Sequence, residues 1–307
     1  MSAPIKENAP ALAKEPSYRP PDRAGERRGE GVALNAFSHG FLALWALMIV
    51  LPLLWLVLSS FKTDSQIAGS AFGWPQNWSF DVFTRAWEKG IGDYFFNTVV
   101  VLVFSVPLTM LFGSMAAYVL ARYQFWGNRL LYYFFVAGAM FPVFLALVPL
   151  FFMVKRLDML NTYQGLILVY VAYSMPFTVF FMHAFFRTLP TAVFEAAILD
   201  GASHSRTFFQ IMLPMAKPGL ISVGIFNMLG QWNQFILPTV LMQPQSGDDP
   251  ERYVLTQGLV QLEQQQGYAS DLPVLFAGVT IAMIPMLVVY LSFQRQVQAG
   301  LTSATLK

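Results

Sequence analysis

LPVLFAGVTIAMIPMLVVYLSF, residues Leu272–Phe293, runs for a full 22 positions without an aspartate, glutamate, lysine or arginine. A hydrocarbon core about 30 Å thick is crossed by about 20 apolar residues wound as a helix, so this stretch has the length and the solvent preference of a membrane span. Working outward from it, five more segments meet the same demand: Phe37–Leu58, Val99–Leu120, Leu130–Val154, Gly165–Phe186 and Pro218–Leu241, all free of charged side chains. Backbone groups in lipid must find partners within their own segment, which makes helices the expected form. The alternating strands of about ten residues that a barrel requires are not seen. The fold class expected is therefore an all-α membrane protein of six transmembrane helices. Pro142, Pro149, Pro176 and Pro285 fall inside these segments and should kink them.

The whole chain agrees with lipid as its solvent. Of 307 residues, 56% are hydrophobic and 12% charged, against roughly 25% charged in soluble domains. A net charge of +2 gives no broad basic footprint, so nucleic acid is not an expected partner. Cysteine is absent, which excludes disulfides and thiolate chemistry, and His39, His183 and His204 are too scattered to suggest a metal site. Residues 1–33 carry Pro4, Pro10, Pro16, Pro20 and Pro21 among mixed charges with no apolar period, and read as a disordered tail ahead of a permease domain over 34–307. The length of that stretch and its acids are unlike a cleavable signal peptide.

Orientation follows the basic residues. With the N-terminus inside, thirteen of the 19 Lys and Arg face the cytoplasm: six within residues 1–33, then Arg122, Arg129, Arg187, Arg206, Lys217, Arg295 and Lys307. Outside lie Lys62, Arg85, Lys89, Lys155, Arg156 and Arg252. Both termini are thus expected in the cytoplasm. The outer loop between spans five and six is acidic, with Asp248, Asp249, Glu251, Glu263 and Asp271 against Arg252.

Between spans four and five lies a polar stretch of about 189–218 that is too patterned for an idle linker. It reads as two short helices. Pro190 suits the first turn of one, Gly201 after Asp200 suits a left-handed stop, and Ser203 suits the N-cap of a second helix that ends at or just before Pro214. The small residues Ala196, Ala197 and Gly201 leave a surface that another chain could approach closely.

Within this stretch Glu195-Ala196-Ala197, Gly201 after three residues, and Ile211-x-Leu213-Pro214 after nine more match the pattern E-A-A-x3-G-x9-I-x-L-P. The pattern resembles the signature of inner-membrane permease subunits of binding-protein-dependent ABC importers. Shorter matches resemble the maltose-type carbohydrate group: Asn161-Thr162-Tyr163-Gln164-Gly165-Leu166-Ile167-Leu168, Phe185-Phe186-Arg187-Thr188-Leu189-Pro190, Trp232-Asn233-Gln234-Phe235 and Gly300-Leu301-Thr302. Family members commonly have Glu at the position of Gln234 and a Gly after that of Lys307, which implies a chain stopping just short of the family's usual end.

The resemblance implies that this cytoplasmic coupling loop docks into a cleft of a separate ATPase through Glu195, Ala196, Ala197, Asp200 and Gly201, with Leu213 and Pro214 shaping the return into span five. It implies an ABC ATPase dimer that binds ATP and Mg, a second and non-identical permease, and an extracytoplasmic sugar-binding protein as partners. The cargo implied is a disaccharide, short oligosaccharide or amino sugar. No cofactor is expected in this chain.

The residues add two points of their own. No G-x-x-x-x-G-K-[ST] loop is present to hold nucleotide, so an ATP-driven importer needs its ATPase on another chain. The rival reading, an ion-coupled secondary transporter, expects charged residues inside the spans, and the six segments have no Asp, Glu, Lys or Arg, with His39 and His183 falling near span ends. An enzyme is not expected, since no metal-ligand run or catalytic triad pattern occurs. Inside span five, Asn227, Gln231 and Gln234 recur at i, i+4 and i+7 and share a face. That face, with Trp232 and Asn233 beside it, is expected either to border the translocation path, amides offering donors and acceptors to sugar hydroxyls, or to bind neighbouring helices together.

Overall fold

The computed structural model describes residues 26–246, 252–266 and 271–305, with side chains over 35–246, 252–264 and 271–296. The expected tail through residue 25, the acids Asp248, Asp249 and Glu251, and Lys307 lie outside the described residues, and the Gly300-Leu301-Thr302 ending is described by its backbone alone.

Every regular element among the described residues is helical. The first, α1 (Glu26–Ser60), begins within the stretch read as a tail and continues through the first apolar segment. Phe37, Leu44, Trp45 and Met48 on it are exposed, as suits side chains whose solvent is hydrocarbon. Residues 55–307 form a second compact unit. A short α2 (Asp64–Gly69) is closed by a capping box between Thr63 and Gln66. Next, α3 (Asp81–Ala86) feeds through a widened turn at Trp87–Ile91 into α4 (Gly92–Arg122).

After α4 come α5 (Asn128–Met140) and α6 (Val143–Arg156), then α7 (Tyr163–Thr188). The polar stretch holds α8 (Thr191–Leu199) and α9 (His204–Met215). The chain then continues as α10 (Lys217–Trp232), α11 (Ile236–Leu241), α12 (Leu255–Gln266) and α13 (Leu272–Thr305).

Among the described residues, four helical stretches are long and apolar enough to cross a membrane: Asn35–Ser60, Asp81–Arg122, Tyr163–Thr188 and Leu272–Gln296. The other two apolar segments are broken. Leu130–Val154 splits into α5 and α6 at an angle of 102°. Phe141 and Pro142 there are extended, because proline has no N–H to continue the helix and crowds the residue before it. Pro149, Pro176 and Pro285 are carried inside helices without a break. The segment Pro218–Leu241 is interrupted at Asn233–Phe235, where Thr256 Oγ1 donates to the Gln234 carbonyl and Gln234 Oε1 accepts from the Ile236 N–H. That leaves α10 and α11 as two pieces. At its other end α10 meets α9 at 79°.

The centre of the second unit is α4 packed along α7, with α10 against both, α13 against α10 and α3, and α5 against α7. Buried side chains group by level. Ala117, Tyr118, Val179, Met182, Phe186, Phe208 and Met212 join α4, α7 and α9 near the α8–α9 stretch. Toward the opposite end, Ile91, Tyr94, Leu102, Trp232 and Val274 form one cluster, and Val101, Leu166, Tyr170, Leu237 and Leu241 another.

Candidate functional site

Two features are candidates for function: the two-helix elbow of α8 and α9, and a cleft among α5, α7 and α10. In the elbow, Pro190 precedes α8 in extended backbone, Gly201 takes φ +75°, and the Ser203 hydroxyl accepts from the Arg206 N–H at 3.3 Å. These are the start, stop and restart of two helices, encoded by residues whose local conformations favour them. Helix α9 does not end before Pro214 but runs through it to Met215. The turn ahead is widened, with the Leu213 N–H bonded to the Phe208 carbonyl five residues back, which relieves the ring's clash with the preceding turn.

Helix α8 is two-faced. Ala197 is buried and Phe194 half-buried, its ring edge-on to Tyr118 and Tyr123. The other face is open: Glu195, Ala196, Ile198, Asp200 and Gly201 are exposed, and Leu199 is 87% exposed. The structure therefore separates the two alanines, Ala197 packing inside this chain and Ala196 pointing away from it. Leu213 is half-buried and Pro214 exposed. At the base of the elbow Tyr123 Oη lies 2.9 Å from His204 Nδ1. The surface offered is a carboxylate beside exposed aliphatic side chains, a combination suited to a protein partner.

The cleft has a volume of about 390 Å³ and is walled by Phe141, Tyr170, Tyr173, Ser174, Phe177, Phe226, Asn227, Gln231 and Gln234, with Gly138 and Ala139 at the α5 break. Three of the five residues singled out on span five reach it. Trp232 instead packs edge-on against Phe95 at 5.6 Å within the core, and Asn233 turns back to donate to the Leu229 carbonyl at 2.9 Å.

Of the three that reach the cleft, Asn227 and Gln231 are each only 5% exposed and are engaged across helices. Gln231 Oε1 accepts from Ser105 Oγ at 2.5 Å and its Nε2 donates to Ser174 Oγ at 3.0 Å, tying α10 to α4 and α7. Asn227 Nδ2 donates to Thr178 Oγ1 at 2.8 Å. These amides join helices and edge the cleft at once. Gln231→Leu is expected to leave the Ser105 and Ser174 hydroxyls without these partners, at a cost of about 1–2 kcal/mol. A lowered melting temperature of the detergent-solubilised protein checks it, and an unchanged one would leave the amide a role toward cargo only.

Sequence reasoning missed the opposing wall. Tyr170, Tyr173, Ser174 and Phe177 recur at i, i+3, i+4 and i+7 on α7, the same helical period as the amide face, and that spacing was the available signal. Aromatic rings on one side and amides on the other make a surface that can cover the apolar face of a sugar ring and bond its hydroxyls.

Residues 109–303 match the family described as binding-protein-dependent transport system inner membrane component. The chain is 48% identical over 273 residues to a diacetylchitobiose uptake system permease protein of Streptomyces coelicolor, covering 89% of each chain. It is 31% identical over 278 residues to a multiple sugar-binding transport system permease protein of Streptococcus mutans, covering 89% of this chain and 98% of that one. Among solved structures it resembles a chain of a bacterial ABC transporter involved in the import of the acidic polysaccharide alginate, with a TM-score of 0.71 and 23% identity over 92% of this chain and 99% of the other. This last likeness is one of fold.

Proposed function

We propose, from the premise that this chain belongs to the family of inner membrane components of binding-protein-dependent transport systems, that it is the permease subunit of an ABC importer for a carbohydrate. The observation that carries the reading is the E-A-A-x3-G elbow, with Glu195, Ala196 and Gly201 exposed, beside that family membership. The chain is a multi-pass membrane protein and breaks no bond in its cargo. It works with an ATPase and a solute-binding protein.

In finer detail, the bent pair α5–α6 counts as one span and α10 with α11 as another, which makes six, both termini face the cytoplasm, and the elbow of α8 and α9 is the coupling loop. Glu195, Ala196, Asp200 and Gly201 meet the ATPase, with Ala197 bracing α8 from within and Leu213 and Pro214 setting the return into α10. ATP and Mg are held by the partner. ATPase closure moves the elbow, and the spans rock between outward-open and inward-open packings, two states biased by nucleotide. A second permease covers the cleft, and lipid covers the remaining apolar surface. The named sugar relatives favour an amino-sugar disaccharide such as diacetylchitobiose as the first cargo to try.

The test is ATP-dependent uptake of labelled diacetylchitobiose and of a panel of other oligosaccharides into vesicles holding the chain with its partners. Uptake that persists without the ATPase and follows an ion gradient would sink the reading. Within it, Tyr173→Ala is expected to raise the half-saturating sugar concentration about tenfold, the equivalent of about 1.4 kcal/mol of lost contact, while moving the melting temperature little because the residue is 48% exposed.

A further inference from the structure

The elbow joins α7 through only Leu189 and Pro190, both in non-helical backbone, and the backbone bond at the joint is the long one from the Leu189 N–H to the Phe186 carbonyl at 3.4 Å. A push on α8 through such a joint would be absorbed by rotation there unless a third element held it. Arg122, the last residue of α4, does so. Its Nη2 donates to the Phe186 carbonyl at 2.6 Å and to the Leu189 carbonyl at 2.8 Å, and its Nη1 reaches Thr191 Oγ1 at 3.4 Å. The guanidinium carbon stands 6.0 Å from the centre of the Phe194 ring. One planar fork thus grips the end of α7, the joint and the first residue of α8. Carbonyls at a helix C-terminus lack partners in their own helix and carry partial negative charge, which is where a cation binds best. A lysine keeps the charge but cannot span these acceptors.

We infer that Arg122 is the positioning residue that makes α8 and the ends of α4 and α7 move as one body, so that a displacement of the elbow reaches the Tyr170–Phe177 wall of the cleft. The route is physical. Helix α4 packs along α7, and Tyr118, Phe186, Phe194 and Phe208 stack around the same point. The inference rests on the reading of the chain as an ATP-driven permease, and it concerns coupling rather than docking, since Arg122 is not on the exposed face of α8.

The experiment uses the complete transporter in proteoliposomes with its solute-binding protein, measuring phosphate released and sugar accumulated in the same sample for wild type, Arg122→Ala and Arg122→Lys. Both variants are expected to keep stimulated ATP hydrolysis within about twofold of wild type, while sugar moved per ATP falls on the order of tenfold, the scale set by losing several charge-assisted hydrogen bonds. A proportional fall in both quantities marks a residue needed only for folding or assembly, and overturns the inference. So does an unchanged ratio. Should Arg122→Ala fail to assemble, Arg122→Lys decides by the same ratio. Wild-type vesicles that import nothing with ATP would instead overturn the underlying assignment as an importer, and this inference with it.

Discussion

Glu195→Lys is expected to cut ATP-dependent sugar uptake to near background while the protein stays in the membrane at wild-type abundance. Glu195 is exposed and forms no ion pair among the described residues, so reversing its charge removes no packing. Exposed substitutions of this kind shift stability by about 0.5 kcal/mol or less. At a docked interface the same reversal places like or unpaired charges together, and losing one partner of a buried charged contact costs about 2–5 kcal/mol. On that scale the ATPase leaves its dock by a factor of about 30 or more. Gly201→Asp tests the same surface by another route. Its φ of +75° is one that aspartate tolerates better than most residues, and a side chain added there meets nothing within 4 Å. The fold should survive while a new carboxylate intrudes on the partner. Uptake, membrane abundance and copurification of the ATPase are measured together, and normal uptake in either variant would remove the docking role from this face.

Gly165→Val should do the reverse, leaving the elbow untouched and failing at the level of the fold. Gly165 opens α7, where its N–H is accepted by Thr162 Oγ1 at 3.1 Å. A Cβ built on it would stand 2.2 Å from the Met159 carbonyl oxygen, a backbone atom with little freedom to retreat. Asp158 and Asn161 already hold left-handed backbone in that connection, and the Asn161 N–H is bonded to the Leu241 carbonyl at 2.8 Å. Arg252 donates to the Asn161 carbonyl at 2.9 Å from another loop. With the turn held from several sides, overpacking there is expected to cost about 3 kcal/mol or more. The measurement is the melting temperature and the yield of monodisperse protein in mild detergent, and a variant that purifies and melts like wild type would show that the turn can yield.

Much of this protein is local in origin, and that part was readable from residues alone. An uncharged run of span length must be helical in lipid because its backbone has no other partner, so Leu272–Phe293 and the segments like it declare themselves without reference to one another. The elbow is local too: Pro190, Gly201 and Ser203 act within a turn or two of chain. The breaks were less legible. Pro142 announced a kink, but an angle of 102° depends on what α5 and α6 each pack against. Pro238 signalled the interruption at Asn233–Phe235 by leaving the Gln234 carbonyl without its helical donor, but that Thr256 would supply the bond could not be read from the residues nearby.

The candidate cleft divides the same way. Helical spacing placed Asn227, Gln231 and Gln234 on one face, because side chains about four residues apart stack along a helix. Adjacency in sequence misled for Trp232, since neighbours on a helix point about 100° apart, and its ring went to Phe95 in the core. Which helix faces the amides, and whether they bond to it, was decided only when α4 and α7 brought Ser105, Ser174 and Thr178 into reach. Sequence alone determined that this chain lives in lipid and carries a two-helix elbow, because burial in hydrocarbon and helix capping are satisfied residue by residue. The tertiary structure alone decided the aromatic wall opposite the amides and the grip of Arg122 on the joint, because both are contacts between segments that only packing brings together.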